Sequence, residues 1–234
     1  MRALAVFKQD VQFQFRHGFY YAYLIVCAAY VLFLREVPAW MGDRAATLII
    51  SSDPGVLGFF FVGGLLMLER NQNILDNLFV TPLLLREYFL SKVLSLALLA
   101  IVTSVGVTVF SFGTDFQLGP LLVGVVLSSA FFTLLGVTLA VKVKSINQFL
   151  LTSTVYLTVL FIPVLGEIGV WETPLYLLFP TGASLALIGA AFGEASLWEL
   201  LFSTAVLAAW IALAYRWAKR TFARQVLEKI GGEQ

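Results

Sequence analysis

The chain has 234 residues, of which 60% are hydrophobic and 12% are charged, and its net charge is +1. This composition excludes an ordinary water-soluble domain, because the chain carries more apolar surface than a soluble core can enclose. The near-neutral charge gives no electrostatic reason to expect nucleic acid as a partner. One cysteine and one histidine exclude a disulfide framework and a zinc site of the His-Glu-x-x-His kind.

The first predicted element is an amphipathic helix over residues 1–17. Its apolar residues recur at helical spacing and are Leu4, Phe7, Val11 and Phe15. Its polar residues, among them Lys8 and Asp10, fall largely on other faces. This pattern predicts a helix that lies in the membrane interface, with a frayed tail as the alternative.

The hydrophobic segments that follow have the length of membrane-spanning helices. A helix needs about 20 apolar residues to cross the hydrocarbon layer. We predict an all-α integral membrane protein of six transmembrane helices, with an outer re-entrant helical hairpin between spans five and six. The predicted spans are residues 18–34, 47–69, 89–112, 117–141, 146–166 and 197–217.

A seventh apolar segment, residues 173–192, contains Pro180, Thr181 and Gly182 at its middle. Proline and glycine at that place are expected to break a spanning helix. We therefore interpret the segment as re-entrant, with half-helices at about 173–179 and 183–192 that enter from the outer face. A kinked seventh span is the alternative.

The positions of the basic residues predict the orientation. With six spans, all of the fifteen Lys and Arg except Arg35 and Arg44 lie on one side of the membrane. Because basic loops stay in the cytoplasm, both ends of the chain are predicted to be cytoplasmic. The loop 70–88 and the tail 218–234 then face the cytoplasm, and we expect a multi-pass protein of the plasma (inner) membrane.

Asp53 stands just before the uninterrupted apolar run of the second span. It either caps a helix that has Pro54 at its first position or lies within a helix that begins near Thr47, and we favour the cap. In the second case Asp53 becomes a functional candidate for a transport path or a dimer seam, because a carboxylate within lipid is costly.

Three polar residues of span five recur every four positions and share one helix face: Gln148, Thr152 and Tyr156. We expect them to line a transport path or a dimer seam. Ordinary packing between helices explains the same pattern equally well.

The sequence of the loop after the second span predicts a short amphipathic helix that docks against a soluble partner. The polar break Asn71-Gln72-Asn73 is followed by Leu75 and Leu78 at helical spacing, and Asp76 falls on another face. Thr81-Pro82 ends this short helix, because the residue before proline disfavours helical backbone. The sequence contains no Gly-x-x-x-x-Gly-Lys-Ser/Thr loop, so another polypeptide must bind any ATP that drives the protein.

In this loop the sequence resembles the ABC-2 type permeases, the membrane subunits of many bacterial ABC exporters. In that family a Glu-Arg or Glu-Lys pair ends the second span, and a Gly-Thr-Leu-Glu-like segment, a Thr-Pro and a Lys entering the third span follow. The matching positions here are Glu69-Arg70, Leu75-Asp76, Val80-Thr81-Pro82 and Lys92. Asn73 and Ile74 stand where Gly-Thr is usual.

The resemblance implies a dimer of permeases, either identical or paralogous, in membrane lipid. Each copy would rest on an ABC ATPase subunit that binds ATP and Mg, while this chain binds no cofactor and is no enzyme. The residues Pro180, Thr181 and Gly182 would form an outer gate. The residues that would serve coupling to the ATPase are Glu69, Arg70, Asn73, Leu75, Asp76, Leu78, Thr81 and Pro82.

The function expected from the resemblance is ATP-driven export of a hydrophobic or amphiphilic cargo, either drug-like or lipid-like, as in multidrug efflux. Permeases for polysaccharide and haem-type export in the same family share the same size and order of elements. A membrane scaffold or assembly protein that transports nothing is the alternative from a different class. An ATPase that copurifies with the chain would distinguish the permease from the scaffold.

Overall fold

The computed structural model describes residues 2–72, 74, 83–171 and 173–227, and every regular element within these ranges is helical. Among the described residues, five helices are long and apolar enough to cross a membrane. They are α2 (Phe19–Glu36), α3 (Ala39–Asn71), α4 (Leu85–Phe112), α5 (Leu118–Ala140) and α9 (Leu197–Phe222).

The shorter helices flank or connect these five. They are α1 (Arg2–Arg16), α6 (Ile146–Leu160), α7 (Val164–Glu167) and α8 (Pro180–Gly189), with a 3-10 helix at Pro174–Leu178 and a π-helical turn at Ala223–Leu227. The apolar helix α6 corresponds to the predicted fifth span. Its 15 residues rise about 22 Å, which is less than the hydrocarbon thickness of about 30 Å.

Helix α5 is the centre of the bundle and packs against α3, α4, α8 and α9. Every residue from Ser128 to Ala140 is buried. The backbones of α3 and α5 approach so closely that a Cβ atom on Gly136 would lie 2.7 Å from the carbonyl oxygen of Phe59. Glycine is therefore required where these two helices cross.

The helix α3 begins at Ala39, so the expectation that Asp53 caps a helix is wrong. Asp53 lies inside α3 and is only 3% exposed. The polar residues that precede it do not end the helix, because their hydroxyl groups bond to carbonyl groups of the preceding turn. Thr47 Oγ1 donates to the Asp43 carbonyl at 2.8 Å, and Ser52 Oγ donates to the Ile49 carbonyl at 2.8 Å.

The segment between α6 and α9 differs in detail from the expectation. Pro180 occupies the first helical position of α8, where proline needs no N–H partner. Pro180, Thr181 and Gly182 therefore form the first turn of the second half-helix and do not separate two half-helices. Helix α8 has 10 residues and rises about 15 Å, which is half of the hydrocarbon thickness.

Candidate functional site

A buried lysine lies two turns into α4. The side chain of Lys92 is 1% exposed, and its ammonium group contacts two carboxylates. Lys92 Nζ lies 2.6 Å from Asp10 Oδ1 on α1 and also contacts Glu69 Oε1 at the end of α3. A buried charge is costly unless it is paired, so these three side chains hold α1, α3 and α4 together.

The two carboxylates are fully hydrogen-bonded. The Tyr88 hydroxyl donates to Glu69 Oε2 at 2.7 Å, and the Ser91 hydroxyl donates to Asp10 Oδ2. With the two contacts from Lys92, all four carboxylate oxygens accept from a donor. We call Asp10, Glu69, Tyr88, Ser91 and Lys92 the Lys92 cluster, and its complete pairing makes it a rigid junction.

The residue next to Glu69 extends this junction to a fourth element. Arg70 Nη1 donates to the Val143 carbonyl at 2.9 Å, and Nη2 donates to the Val141 carbonyl at 3.4 Å. Both carbonyl groups belong to the connection between α5 and α6. Two consecutive residues at the end of α3 therefore bind α4 and the α5–α6 connection at one end of the bundle, and Lys92 links them to Asp10 of α1.

The predicted coupling residues divide into two groups. Glu69 is 4% exposed and Arg70 is half-buried, so neither side chain lies free on the surface. Both contact other helices or connections of the same chain. Outside the described residues lie Asn73, Leu75, Asp76, Leu78, Thr81 and Pro82.

Sequence reasoning missed Asp10 and Gln14. Asp10 was expected only on a face of α1 other than the apolar one, and it is 5% exposed and Gln14 is fully buried, while Leu4 and Phe15 are 71% and 50% exposed. Asp10 and Gln14 face α4, where Asp10 accepts from the Ser91 hydroxyl and Gln14 donates to the Ser95 hydroxyl, whereas Lys8, Gln12 and Arg16 are exposed. The spacing of four between Asp10 and Gln14, which puts both on one helix face, was the available signal.

A second polar site lies in the middle of α3. Asp53 Oδ2 accepts from Thr103 Oγ1 of α4 at 3.2 Å, and Tyr23 of α2 lies beside the same carboxyl group. Asp53 Oδ1 is buried and has no hydrogen-bond partner. Among the described residues, the ion pairs involve Lys92 and not Asp53. The carboxyl group therefore offers an open acceptor between α2, α3 and α4.

The predicted outer-gate residues lie together and are buried. A Cβ atom on Gly182 would lie 1.9 Å from the Tyr176 carbonyl oxygen, so the 3-10 helix and α8 touch through their backbones. Thr181 Oγ1 is buried without a hydrogen-bond partner, and the Ser184 hydroxyl lies 2.5 Å from that of Ser128 on α5. These contacts seat the start of α8 against its neighbours.

A cavity of about 390 Å³ lies next to this segment and is lined in part by Glu167, Gly182 and Glu199. Glu167 and Glu199 therefore place two carboxylate groups on the wall of this cavity.

The three polar residues of α6 that were predicted to share a function have three different environments. Gln148 is exposed, and its Oε1 accepts from the Lys144 backbone N–H at 3.2 Å near the start of the helix. Thr152 is half-buried. The Tyr156 ring lies 6.3 Å from the Trp217 ring of α9, in the wall of an apolar groove.

Comparison with known proteins gives one family over nearly the whole chain. The profile of the fluoroquinolones export permease protein family matches residues 1–230. Two fluoroquinolones export permease proteins, from two strains of Mycobacterium tuberculosis, are each 27% identical to this chain over 233 residues. The alignments cover 98% of this chain and 98% of each relative, so the similarity extends over nearly the full length of both.

Proposed function

The chain belongs to the fluoroquinolones export permease protein family, and on that basis we propose that it is the membrane subunit of an ATP-driven ABC exporter. A permease family of this kind indicates a transport subunit and not an enzyme. It agrees with the resemblance to ABC-2 type permeases that the residues after the second span carry. In this proposal a separate ATPase subunit binds ATP and Mg, and a second permease copy completes the transporter.

The observation that best supports this proposal is the position of the Lys92 cluster. It joins the end of α3 to the start of α4, and these are the two ends that the loop 70–88 connects. An ATPase that moves this loop would therefore move both helices. Breaking a buried ion pair costs about 3–5 kcal/mol, whereas coupling free energies between sites are typically about 1–3 kcal/mol. The junction is strong enough to transmit such a movement without separating.

The same proposal assigns an orientation. Helix α6 with α7 acts as the fifth of six crossings, and both chain ends and the Lys92 cluster face the cytoplasm of the inner membrane. The 3-10 helix and α8 form a re-entrant hairpin at the outer face, with Pro180, Thr181 and Gly182 in the gate. The excess of Lys and Arg at the Lys92 end of the bundle supports this orientation.

For the cargo we propose an amphiphilic drug with a positively charged group, of the fluoroquinolone kind for which the relatives are named. Asp53 supports a positive charge on the cargo, because its Oδ1 is buried and open. Asp53 lies in a span and forms no ion pair among the described residues, and a carboxyl group at such a place is costly and marks a functional site. The carboxyl group would bind the ammonium of the cargo when α2, α3 and α4 separate.

Purification and transport together test the proposal. The full chain is purified in a mild detergent, its copurifying proteins are identified, and ATP-dependent uptake of a fluoroquinolone is measured in inside-out vesicles. We expect a P-loop ATPase to copurify and uptake to require ATP. A chain that binds no ATPase and gives no ATP-dependent uptake is a scaffold, and the proposal is then wrong.

A substitution at Arg70 tests the coupling role. Arg70→Gln removes the two bonds to the α5–α6 connection, so ATP hydrolysis should continue while uptake per ATP falls several-fold. Arg44→Gln is the matched control, because Arg44 is an exposed arginine of the same helix and lies outside the loop 70–88. Equal transport in the two variants would remove Arg70 from the coupling path.

A further inference from the structure

An apolar groove runs along one side of the bundle between α5, α6 and α9. Its volume is about 500 Å³, and its walls include Phe131, Leu135, Tyr156, Trp210 and Trp217. A volume of this size is typical of a ligand-binding pocket, which holds about 300–1,000 Å³. We call it the Trp217 groove. None of the residues that line it carries a charge.

A cation stands at one end of the groove. Lys142 Nζ lies 4.6 Å from the centre of the Trp217 ring, and the Lys142 side chain is exposed. The ion pairs described for this chain involve Lys92, so Lys142 has no carboxylate partner among the described residues. Further exposed basic residues near this end of the groove are Lys144, Arg216, Lys219 and Arg220.

The length of the groove corresponds to one leaflet of a membrane. Trp210 and Trp217 are seven residues apart on α9, which is about 10 Å along a helix. Phe131 lies nine residues before the end of α5 at Ala140, or about 13 Å. Half of the hydrocarbon thickness is about 15 Å. The groove therefore runs from the Lys142 end to about the depth where a lipid chain ends.

From this arrangement we propose that the Trp217 groove is a binding site for one anionic phospholipid of the leaflet at the Lys142 end. An acyl chain fills the groove, and the phosphate lies against the Lys142 ammonium beside the Trp217 ring. Basic pockets between membrane helices bind anionic headgroups for this electrostatic reason. This site is separate from the Lys92 cluster and from Asp53.

The charges at the rim favour a lipid over a second copy of the chain. A twofold contact through this groove would place the same patch of both copies face to face. The exposed residues Lys142, Lys144 and Arg216 of one copy would then approach those of the other, and like charges repel. An anionic lipid brings the opposite charge and needs no partner surface.

The test uses the full chain in nanodiscs of phosphatidylcholine, with and without phosphatidylglycerol, followed by native mass spectrometry of lipid that stays bound. Quenching of tryptophan fluorescence by brominated phosphatidylglycerol and brominated phosphatidylcholine is measured in parallel. We expect phosphatidylglycerol to be retained and to quench in preference to phosphatidylcholine. Equal retention and quenching by the two lipids would overturn the proposal.

Three variants locate the effect. Lys142→Gln should weaken retention of phosphatidylglycerol about fivefold, as expected for one basic residue near the membrane surface. Lys8→Gln, an exposed lysine on α1, is the control and should leave retention unchanged. Val159→Phe, at a wall residue that is 53% exposed, should fill the groove without adding a tryptophan and abolish preferential quenching.

Three other outcomes would show that the Trp217 groove is not a dedicated lipid site. If Lys142→Gln and Lys8→Gln bind lipid equally, the rim charge does not hold a headgroup. If Val159→Phe changes the dimer to a monomer by light scattering, a second copy covers the groove. If a fluoroquinolone displaces phosphatidylglycerol in the wild-type chain but not in Asp53→Asn, the groove belongs to the cargo path. Each result contradicts a dedicated lipid site.

Discussion

Replacing Lys92 by methionine removes the cation that contacts both Asp10 and Glu69. Methionine fills a similar volume, so the packing around the side chain changes little. The two carboxylates remain buried and lose the ammonium group that both contact. Asp10→Asn is a milder change at the same site, because it leaves one ammonium and one carboxylate as a neutral pair.

The structure predicts that the two variants lose different amounts of unfolding free energy. Removing one partner of a buried ion pair costs about 3–5 kcal/mol, because the remaining charge is uncompensated. Lys92→Met leaves two such charges and should reach the upper part of this range. Asp10→Asn loses one charge-assisted hydrogen bond and should cost about 1.5 kcal/mol. The triple variant Asp10→Asn, Glu69→Gln and Lys92→Met has no buried charge at the site and should recover most of the stability.

Thermal unfolding of the purified chain in one detergent measures these differences. For a chain of this size 1 kcal/mol lowers Tm by about 2–4 °C, so Lys92→Met should unfold about 10 °C or more below the wild type. Asp10→Asn should unfold only about 3–6 °C below the wild type. The reasoning is refuted if both single variants lose the same stability, or if the triple variant is less stable than Lys92→Met.

Two further substitutions test the outer segment and the polar site in α3. Gly182→Ala should displace the start of α8, because its Cβ would lie 1.9 Å from the Tyr176 carbonyl oxygen, and this variant should lower both Tm and transport. Gly119→Ala is the control, because its Cβ would meet no atom within 4 Å, and it should leave Tm and transport unchanged. Asp53→Asn should raise the KM for a cationic cargo about tenfold or more, because a hydrogen bond to a charged group is worth about 1.5–3 kcal/mol. The exposed Asp43 of the same helix gives the control Asp43→Asn, and an equal change for a neutral cargo would contradict the role of Asp53.

Most of the helices could be predicted from hydrophobicity alone, because a membrane-spanning helix must contain a long apolar run. The start of α3 could not be predicted in this way. Its first half contains polar residues such as Thr47 and Ser52, whose hydroxyl groups bond to their own helix, and this bonding is invisible in the composition. The position of Pro180 was also misread, because proline fits the first turn of a helix as well as a break between helices.

The Lys92 cluster was likewise predictable from the sequence only in part. The positions of Glu69, Arg70 and Lys92 followed from the family resemblance, but their partners did not. Asp10 lies 82 residues before Lys92 in the chain, and a contact of that separation depends on how α1 packs beneath α4. Sequence periodicity reports which residues share a helix face, but it does not report which face meets another helix.

A cross-link between this chain and its ATPase tests most directly whether the Lys92 end of the bundle receives the motor. In a Cys27→Ser background, one cysteine is introduced at Gln72 beside the cluster, or at Thr114 at the opposite end of α4, where both positions are exposed. We predict that Gln72→Cys cross-links to the ATPase with a yield that changes when ATP is added, and that Thr114→Cys does not. Cross-linking through Thr114→Cys, or through neither position, would contradict the proposed coupling at the Lys92 end.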